Sequence, residues 1–478
     1  MRTYFGKNIM PFTAICGCNF GRQIIHTNKK VISDENILEE LQKAISIHFQ
    51  NAIEIDYLDK YYRGDQPILY REKKNRPEVN NKVAINFAKM IVDIKTSELV
   101  GEPIQYVLRQ TDDAKAEELI ELLSIFDTED KQECDIEICA WKSICGTAYR
   151  FIDDGDDLSA FTISSQDPRY TFVVYYNNEK PAFSCQIRKD EAGVEQYFVY
   201  TRSKFYLIKE NKIIDSGING NGFIPVVEYP NNSRRLSDIE ITIPITDELN
   251  KMASDRSNGI EQFVSSWVKF VNCEIDVDLY KKMRQEGVLT VKSNNGSENK
   301  ADVDVMALEL NQSQAQVAVE DLYENLLLVQ GLANRQGNTG GDTQGAVNLR
   351  NGFYTQEKRS EILEPIFKKS EKMALRIILN RMRIAKQFSL LPSDVEIKIS
   401  RTKSDNMLTK AEVLQILLGC GITPPRAIKA SNLFSDPEQV AVDSKARMDV
   451  LYPTEITAPV EQNNDGLSNN SGATESAG

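Results

Sequence analysis

The sequence changes character at residues 146–209, GTAYRFIDDGDDLSAFTISSQDPRYTFVVYYNNEKPAFSCQIRKDEAGVEQYFVYTRSKFYLIK. Aromatic and β-branched residues alternate here with polar ones between short turn clusters, a pattern typical of half-buried strands. Extended to Pro230, the stretch therefore predicts an antiparallel β region of about six strands. The acidic run 153–157 within it lacks the ligand order of a calcium loop, and we interpret it as a hairpin turn.

Helical patterns flank the β region on both sides. Before it, apolar residues recur at helical spacing over 36–62, 80–99, 114–126 and 130–143. After it, the predicted helices are 246–272, 312–333, 353–388 with a kink before Pro365, and shorter ones near 409–418 and 436–448. Further strands are predicted at 287–293, 302–310 and 394–401. Segregated helices and antiparallel strands predict an α+β protein.

Composition excludes several classes of protein. The 478 residues hold 57 Lys+Arg and 70 Asp+Glu, a net charge of −13, which is too acidic for a simple nucleic-acid coat. A hydrophobic fraction of 41% excludes disorder throughout the chain. The two histidines, His26 and His48, exclude a histidine-based triad or a multi-histidine metal site in the body of the protein. We interpret His48, on the apolar stripe of 36–62, as a histidine at the edge of the core.

Cysteine usage and hydropathy indicate a reducing compartment and no membrane span. The eight cysteines have neither disulfide-framework nor paired zinc spacing, and we interpret them as small hydrophobes or chance thiols. No run reaches 18 apolar residues. The apolar stretch 9–17 is short and contains Pro11, which argues against a signal peptide.

The glycine-rich segment 334–352 is the strongest candidate for phosphate chemistry, since glycine lets backbone N–H groups approach an anion. A P-loop requires lysine after its last glycine, and none follows here. We therefore predict no catalytic, cofactor-binding or metal-binding residues and no enzyme activity. Two basic runs, 71–76 and 281–284, could touch phosphates; for the first, a solvated face is the favoured interpretation.

Three stretches resemble the phage portal proteins of the SPP1-like family. Residues 60–106 contain a Tyr-Tyr-x-Gly-Asp turn, an Asn-Asn-Lys run, an Asn-Phe-Ala-Lys helix and a Gly-x-Pro stop, in that order. Residues 237–263 are similar to the approach to the family's first stem helix, and 341–372 to its tunnel loop and long kinked helix. The resemblance extends from about residue 36 to 450.

The resemblance implies a portal fold with a helical stem and crown, a β-rich wing and a small α/β clip, assembled as a ring around a central channel. The implied divisions are 36–245 as wing, 246–273 as stem helix, 274–311 as clip, 312–333 as second stem helix, 334–352 as tunnel loop, 353–408 as long kinked helix and wing strand, and 409–453 as crown helices. Outside the resemblance, 1–35 is an N-terminal extension without an assigned role. Residues 454–478 contain no Lys or Arg and are rich in Asn, Ser, Gly and Thr, a composition that predicts a disordered tail.

The resemblance also implies the role of a virion protein at one capsid vertex, assembled in the host cytoplasm, through which double-stranded DNA is packaged and ejected. Its implied partners are further copies of itself in a ring, typically a dodecamer, the terminase large subunit, a head–tail adaptor protein, and major capsid and scaffold proteins, with no membrane. Expected DNA contacts in the tunnel loop are Arg335, Gln336, Asn338, Thr339, Gln344, Asn348 and Arg350. Expected docking residues in the clip are Lys281, Lys282 and Arg284.

Two alternatives remain open from the sequence. One is a nucleotide- or metal-dependent enzyme that uses the glycine-rich segment and neighbouring acidic pairs. The other is a different virion structural or scaffold protein with helical assembly surfaces.

Overall fold

The protein is described by a computed structural model. The described residues are 21–74, 77–110, 112–155, 159–177, 180–264, 267–271, 278, 281, 302–306, 312–334, 353–386, 388–399, 407–431, 433–434 and 437–451. The chain divides into two compact units, Met1–Arg401 and Thr402–Gly478.

Seven helices are described in the first unit. They are α1 (Ile37–Tyr62), α2 (Phe87–Val100), α3 (Asp113–Thr128), α4 (Lys131–Cys145), α5 (Ile243–Val264), α6 (Gln312–Gln330) and α7 (Phe353–Ala385). Short 3-10 turns lie at Pro67–Tyr70 and Glu240–Thr242. Helix α2 begins where the Asn86 side chain accepts a hydrogen bond from the Lys89 backbone N–H, a regular N-cap.

Thirteen strands are described in the same unit. They are β1 (His26–Thr27), β2 (Gln105–Leu108), β3 (Thr147–Asp154), β4 (Phe161–Gln166), β5 (Thr171–Tyr176), β6 (Lys180–Lys189), β7 (Glu195–Tyr200), β8 (Lys204–Lys209), β9 (Lys212–Ile218), β10 (Val226–Pro230), β11 (Trp267–Val271), β12 (Asp302–Met306) and β13 (Val395–Lys398).

The predicted β region is confirmed, with eight strands from β3 to β10 in two sheets. One sheet has the order β1-β5-β6-β7-β8-β9, in which only β1 runs parallel to its neighbour, and the other has the order β10-β3-β4. The acidic run begins with Asp153 and Asp154, the last residues of β3, which pair antiparallel with Thr162 and Phe161 of β4, as expected for a hairpin. Two further antiparallel pairs join β11 with β12 and β13 with β2.

Gly146 sets the turn that leads from α4 into β3. Its φ of 88° lies in the left-handed region, and a Cβ there would come within 1.9 Å of the Arg235 carbonyl oxygen. Only glycine fits both requirements, so α4 ends and the β region begins at this residue.

Helix α1 spans two hydrophobic cores. Its first half packs Ile37, Leu41 and Ala44 against the six-stranded sheet. Its second half packs Leu58 and Tyr61 against α2, α4, α5 and α6. A third core joins α3, α4, β2, β3, β4, β10 and β13 to the buried stripe of α7. Helix α1 therefore connects two of the three cores, and α7 belongs to the third.

The prediction of a helix over 246–272 is wrong at both ends. Helix α5 begins at Ile243 and ends at Val264, and β11 follows at Trp267. The sequence WVKFV at 267–271 is rich in β-branched and aromatic residues, and it pairs antiparallel with β12 at 302–306. The predicted strand at 302–310 is thereby confirmed over 302–306, while the strand predicted at 287–293 lies outside the described residues.

His48 and the described cysteines follow their sequence-based interpretations. His48 is buried, donates from Nε2 to the Arg169 carbonyl oxygen at 2.9 Å, and stacks on Phe172 with ring centroids 4.4 Å apart. Cys134, Cys139, Cys145 and Cys185 are buried free thiols, and Cys420 is an exposed one. Burial raises the pKa of Cys139 to about 12, so this thiol is unreactive.

The second unit is helical where it is described. It contains α8 (Met407–Gly419), α9 (Pro424–Ser431), α10 (Pro437–Asp443) and α11 (Lys445–Leu451). Helices near 409–418 and 436–448 are confirmed, the latter as two segments, and α9 was not predicted. Its first turn carries Pro424, which suits an early helical position.

Candidate functional site

The expected DNA-contacting residues lie in a part of the chain outside the described residues. This holds for Arg335, Gln336, Asn338, Thr339, Gln344, Asn348 and Arg350, and for the docking residues Lys282 and Arg284. Lys281 is described and exposed, with Nζ 3.9 Å from Asp278. The structure describes the residues that flank the glycine-rich segment on both sides.

The two ends of the glycine-rich segment lie within one hydrogen bond of each other. The backbone N–H of Ala333, just after α6, donates to the Gln356 side-chain oxygen in the first turn of α7 at 2.6 Å. Gln356 in turn donates to Glu98 of α2, and Arg359 donates to the Leu328 carbonyl oxygen at 3.3 Å. The described residues on either side of the glycine-rich segment, the end of α6 and the start of α7, therefore lie next to each other.

Helices α5 and α6 form an antiparallel pair, and α6 ends shortly before Ala333. Near one end, Arg256 donates to Gln316 at 2.7 Å. At the other, Gln330 donates to the Asp238 carbonyl oxygen and to Thr242, the latter at 3.3 Å. Buried Leu326 and Leu327 of α6 share a core with the start of α5. The pair is thus held together at both of its ends.

An extended stretch before α2, residues 81–85, is fixed to α5 by a ladder of side chains. The backbone N–H groups of Asn81, Val83 and Ile85 donate to Asn258 at 2.6 Å, Ser254 at 2.9 Å and Asn250 at 2.7 Å, respectively. Four residues of helix advance about 6 Å and two residues of extended chain about 6.6 Å, so the spacings match.

The ladder joins two of the three stretches on which the family resemblance rests, 60–106 and 237–263. Its three acceptors are fully or almost fully buried, and Asn250 also donates to Gln66 at 2.5 Å. Sequence analysis missed them, although polar residues at 250, 254 and 258 share one helical face, a detectable signal.

The favoured interpretation of the basic run 71–76 is wrong for its first members. Arg71 donates to Asp255 of α5 at 2.6 Å, and Lys73 lies 3.6 Å from the same carboxylate. Both side chains are largely covered. They act with the ladder to hold this stretch on α5, because a carboxylate facing the stretch attracts both cations.

The third resembling stretch, 341–372, contributes a buried carboxylate to the core of the first unit. Glu371 of α7 accepts hydrogen bonds from Arg150 at 2.9 and 3.0 Å, Tyr106 at 2.5 Å and Tyr229 at 2.7 Å. Lys131 lies 3.1 Å away. These partners come from β3, β2, β10 and α4, so the Glu371 side chain connects α7 to three strands and one helix.

The charge state of Glu371 follows from its partners. Burial raises the pKa of this carboxyl, but the Arg150 and Lys131 charges and the two tyrosine hydroxyls outweigh burial and hold it below its ordinary value. Asp135 balances the remaining positive charge through contacts with Arg150 and Lys131. The cluster thus pairs two buried cations with two buried carboxylates, which is the arrangement of a structural network.

Among the described residues, no group of three or more His, Cys, Asp or Glu side chains could hold a metal ion. Within the same ranges, no helix is long and apolar enough to cross a membrane.

Comparison with known proteins agrees with the resemblance. The sequence model of a family described as "Phage portal protein, SPP1 Gp6-like" matches residues 41–448. The portal protein of Clostridium phage phiCD119 is 23% identical over 413 residues, which cover 78% of this chain and 87% of that relative. The match includes all three resembling stretches.

Proposed function

The chain belongs to the SPP1 Gp6-like family of phage portal proteins, and we propose that its copies form a ring, a dodecamer in the virion, through which double-stranded DNA enters and leaves the capsid. Membership of this family implies a structural head–tail connector at a capsid vertex that serves DNA packaging, and it does not favour the enzyme alternative. Assembly in the host cytoplasm with capsid and scaffold proteins is part of the proposal.

The family match over residues 41–448 is the observation that carries the proposal. The hydrogen bond between Ala333 and Gln356 brings together the two described ends that flank the glycine-rich segment, which supports its assignment as a loop between two helices. Symmetry would repeat this tunnel loop around the channel. We assign DNA contact to the polar side chains of this segment, led by Arg335 and Arg350.

The overall charge suits passage of DNA better than tight binding. Twelve copies at −13 each carry about −156, and a wall of that sign repels phosphate. The repulsion is confined to surfaces within about 10 Å of the duplex at 0.1 M salt, because counterions screen it beyond that distance. Two arginines per copy in the segment offer weak local attraction within a repelling channel.

In the remaining divisions, α5 and α6 serve as stem helices, residues 274–311 with β12 form the clip, and α8 to α11 belong to the crown. We add β11 to the clip, although it lies within the stretch first assigned to the stem, because it pairs with β12. We assign Lys281, Lys282 and Arg284 to docking of the terminase and then of the adaptor. The exposed, weakly paired Lys281 is consistent with a docking role.

Shortening the segment tests the DNA role. Deletion of residues 340–344 should leave ring assembly intact and reduce packaged or retained DNA, because the anchors at Ala333 and Gln356 remain. A matched control deletes five residues from the tail, 470–474, outside every proposed contact. Unchanged packaging by the loop deletion would contradict the assigned role.

Charge reversal tests the docking role. The variant K281E/K282E/R284E should bind terminase more weakly while forming rings of unchanged size. The reversal K189E/R202E/K212E, at exposed sites of the β region, changes the charge equally and serves as control. Equal terminase binding by both variants would contradict the assignment.

A further inference from the structure

One outer face of α7 carries cations that have no ion-pair partner among the described residues. Lys369, Lys372 and Arg376 are exposed and lie on one side of the helix, because intervals of three, four and seven residues return to the same face. Ile362, one further interval of seven before Lys369, is 72% exposed on this side. We call these four residues the basic face of α7.

An outer face of α6 shows the complementary pattern. Glu320, Asp321 and Glu324 are exposed on one side of the helix, and only Glu320 has a described hydrogen bond, from Gln316 of the same helix at 2.6 Å. Val317 and Leu328 flank them, 64% and 69% exposed. We call these five residues the acidic face of α6.

The two faces differ from an ordinary solvated surface in their missing ion pairs and in the exposed apolar side chains beside their charges. Within one copy, no ion pair among the described residues joins them, although many other cations of this unit pair with nearby carboxylates. Each face combines like charges with one or two large exposed apolar side chains. Apolar contacts surrounded by charged groups are characteristic of protein–protein interfaces, whereas a phosphate-binding face needs only the cations.

Both faces belong to the same chain, which restricts their partner. A closed ring built by rotation needs two different, mutually complementary surfaces on every subunit, one for each neighbour. We propose that the basic face of α7 in one copy contacts the acidic face of α6 in the next copy, a contact that orients neighbouring subunits. The inference rests on the proposed ring and adds the surfaces that join it.

Charge reversal on each face separately, followed by mixing, tests the contact. The variant K369E/K372E/R376E has two acidic faces, and the variant E320K/D321K/E324K has two basic faces. Each alone should lose ring formation by about ten-fold or more, because like charges meet at every contact. An equimolar mixture should recover rings with an even number of subunits, since the two variants can only alternate.

Mass photometry and electron microscopy at about 0.15 M salt measure the outcome, with circular dichroism as the check on folding. A single chain with all six substitutions should also form rings, because the charges are exchanged between its faces. The reversal K189E/R202E/K212E should assemble like the unmodified protein.

The possible failures are distinguishable. If the unmodified protein forms no ring, both the proposed function and the inference are overturned. If it forms rings and the two reversed variants do so equally well, only the inference is overturned. The inference is also overturned if mixing folded variants restores nothing, or if K369E/K372E/R376E forms normal rings but no longer binds a duplex DNA fragment, which would identify a phosphate-binding face.

Discussion

Helix α7 carries charged side chains on two faces, one buried in the core and the other exposed to solvent. On the inner face, Glu371 is almost fully buried and surrounded by Arg150, Lys131 and two tyrosine hydroxyls. On the outer face, the next residue, Lys372, is exposed and has no ion-pair partner among the described residues. Two adjacent residues, Glu371 and Lys372, thus carry a buried, paired charge and a solvated one.

The difference shows how one helix can serve both folding and assembly. A buried charge without partners is very unfavourable, so the inner face must be satisfied within a single chain. A solvated charge needs no partner for folding. Its partner can therefore come from another molecule, and changes on the two faces should have separable effects.

Removing the inner charge should have the largest effect on stability. Glu371→Ala leaves Arg150 and Lys131 buried with a single carboxylate, and we expect a loss of about 3–5 kcal/mol in the free energy of unfolding. Urea unfolding followed by tryptophan fluorescence measures it. The control is Lys372→Gln on the outer face, which should change stability by less than about 0.5 kcal/mol. Equal effects at 371 and 372 would remove the distinction between the faces.

The pH dependence of stability tests the same distinction at a second buried group, His48. Burial lowers the pKa of His48 from 6.5 to about 4, despite the hydrogen bond to Arg169. Because the folded pKa lies below the unfolded one, stability falls as pH drops from about 6.5 to 4, by up to about 3 kcal/mol. His48→Gln, which keeps an N–H donor, should flatten this part of the pH profile relative to the unmodified protein.

Asp247 should act in the opposite direction over part of that range. Its burial raises the pKa to about 6, while the hydrogen bond from Tyr61 at 2.8 Å opposes the shift. Because the pKa of Asp247 is higher in the folded protein than in the unfolded one, its protonation stabilises the folded protein as the pH falls below about 6. The contribution of His48 is therefore obtained by subtracting the free energy of unfolding of the His48→Gln variant from that of the unmodified protein at each pH, because both proteins contain Asp247. A difference independent of pH would contradict the buried, neutral histidine.

Breaking the ladder on α5 should have an intermediate effect. Asn250→Ala removes the acceptor of the Ile85 N–H and a donor to Gln66, and we expect a loss of about 2 kcal/mol. Hydrogen exchange at Ile85 and Val83 should accelerate. Glu248→Gln, an exposed change on the same helix, is the control, and slow exchange at Ile85 in the Asn250 variant would show that other contacts hold the stretch.

Neutralising the outer face should have the smallest effect on the single chain. K369Q/K372Q/R376Q removes three solvated charges, and we expect a change below about 0.5 kcal/mol in the free energy of unfolding. Dilute samples below the assembly threshold isolate this quantity in urea titrations. A loss of several kcal/mol would mean that the outer face belongs to the fold, contrary to the comparison.

The sequence predicted most elements because their periodicity is strong. The six predicted strands between residues 146 and 209 are all present, and three of the four helices before them lie within two residues of their expected bounds. The fourth, predicted at 80–99, begins only at Phe87, because the backbone N–H groups of the residues before it are bound by side chains of α5. Prediction failed at Trp267, where the spacing of apolar residues continued the pattern of a helix although the side chains favour a strand. Local periodicity could not reveal that β12, more than 30 residues later, supplies the pairing partner.

The contacts around the candidate site were less accessible to prediction. Nothing local distinguishes Glu371 from the neighbouring charges of α7, since its burial depends on Arg150 and Tyr106, more than 200 residues earlier. The pairing of Arg71 with Asp255 likewise joins distant segments. Long-range contacts of this kind follow from the tertiary fold, so a basic run looked like a solvated face.

Cryo-electron microscopy of the purified protein, without terminase or adaptor, tests the central claim most directly. The account predicts closed rings with a central channel, in which the segment 334–352 of every copy lies toward the channel and α7 of one copy faces α6 of the next. Monomers, or open helical assemblies without a channel, at concentrations where related portals assemble would contradict it.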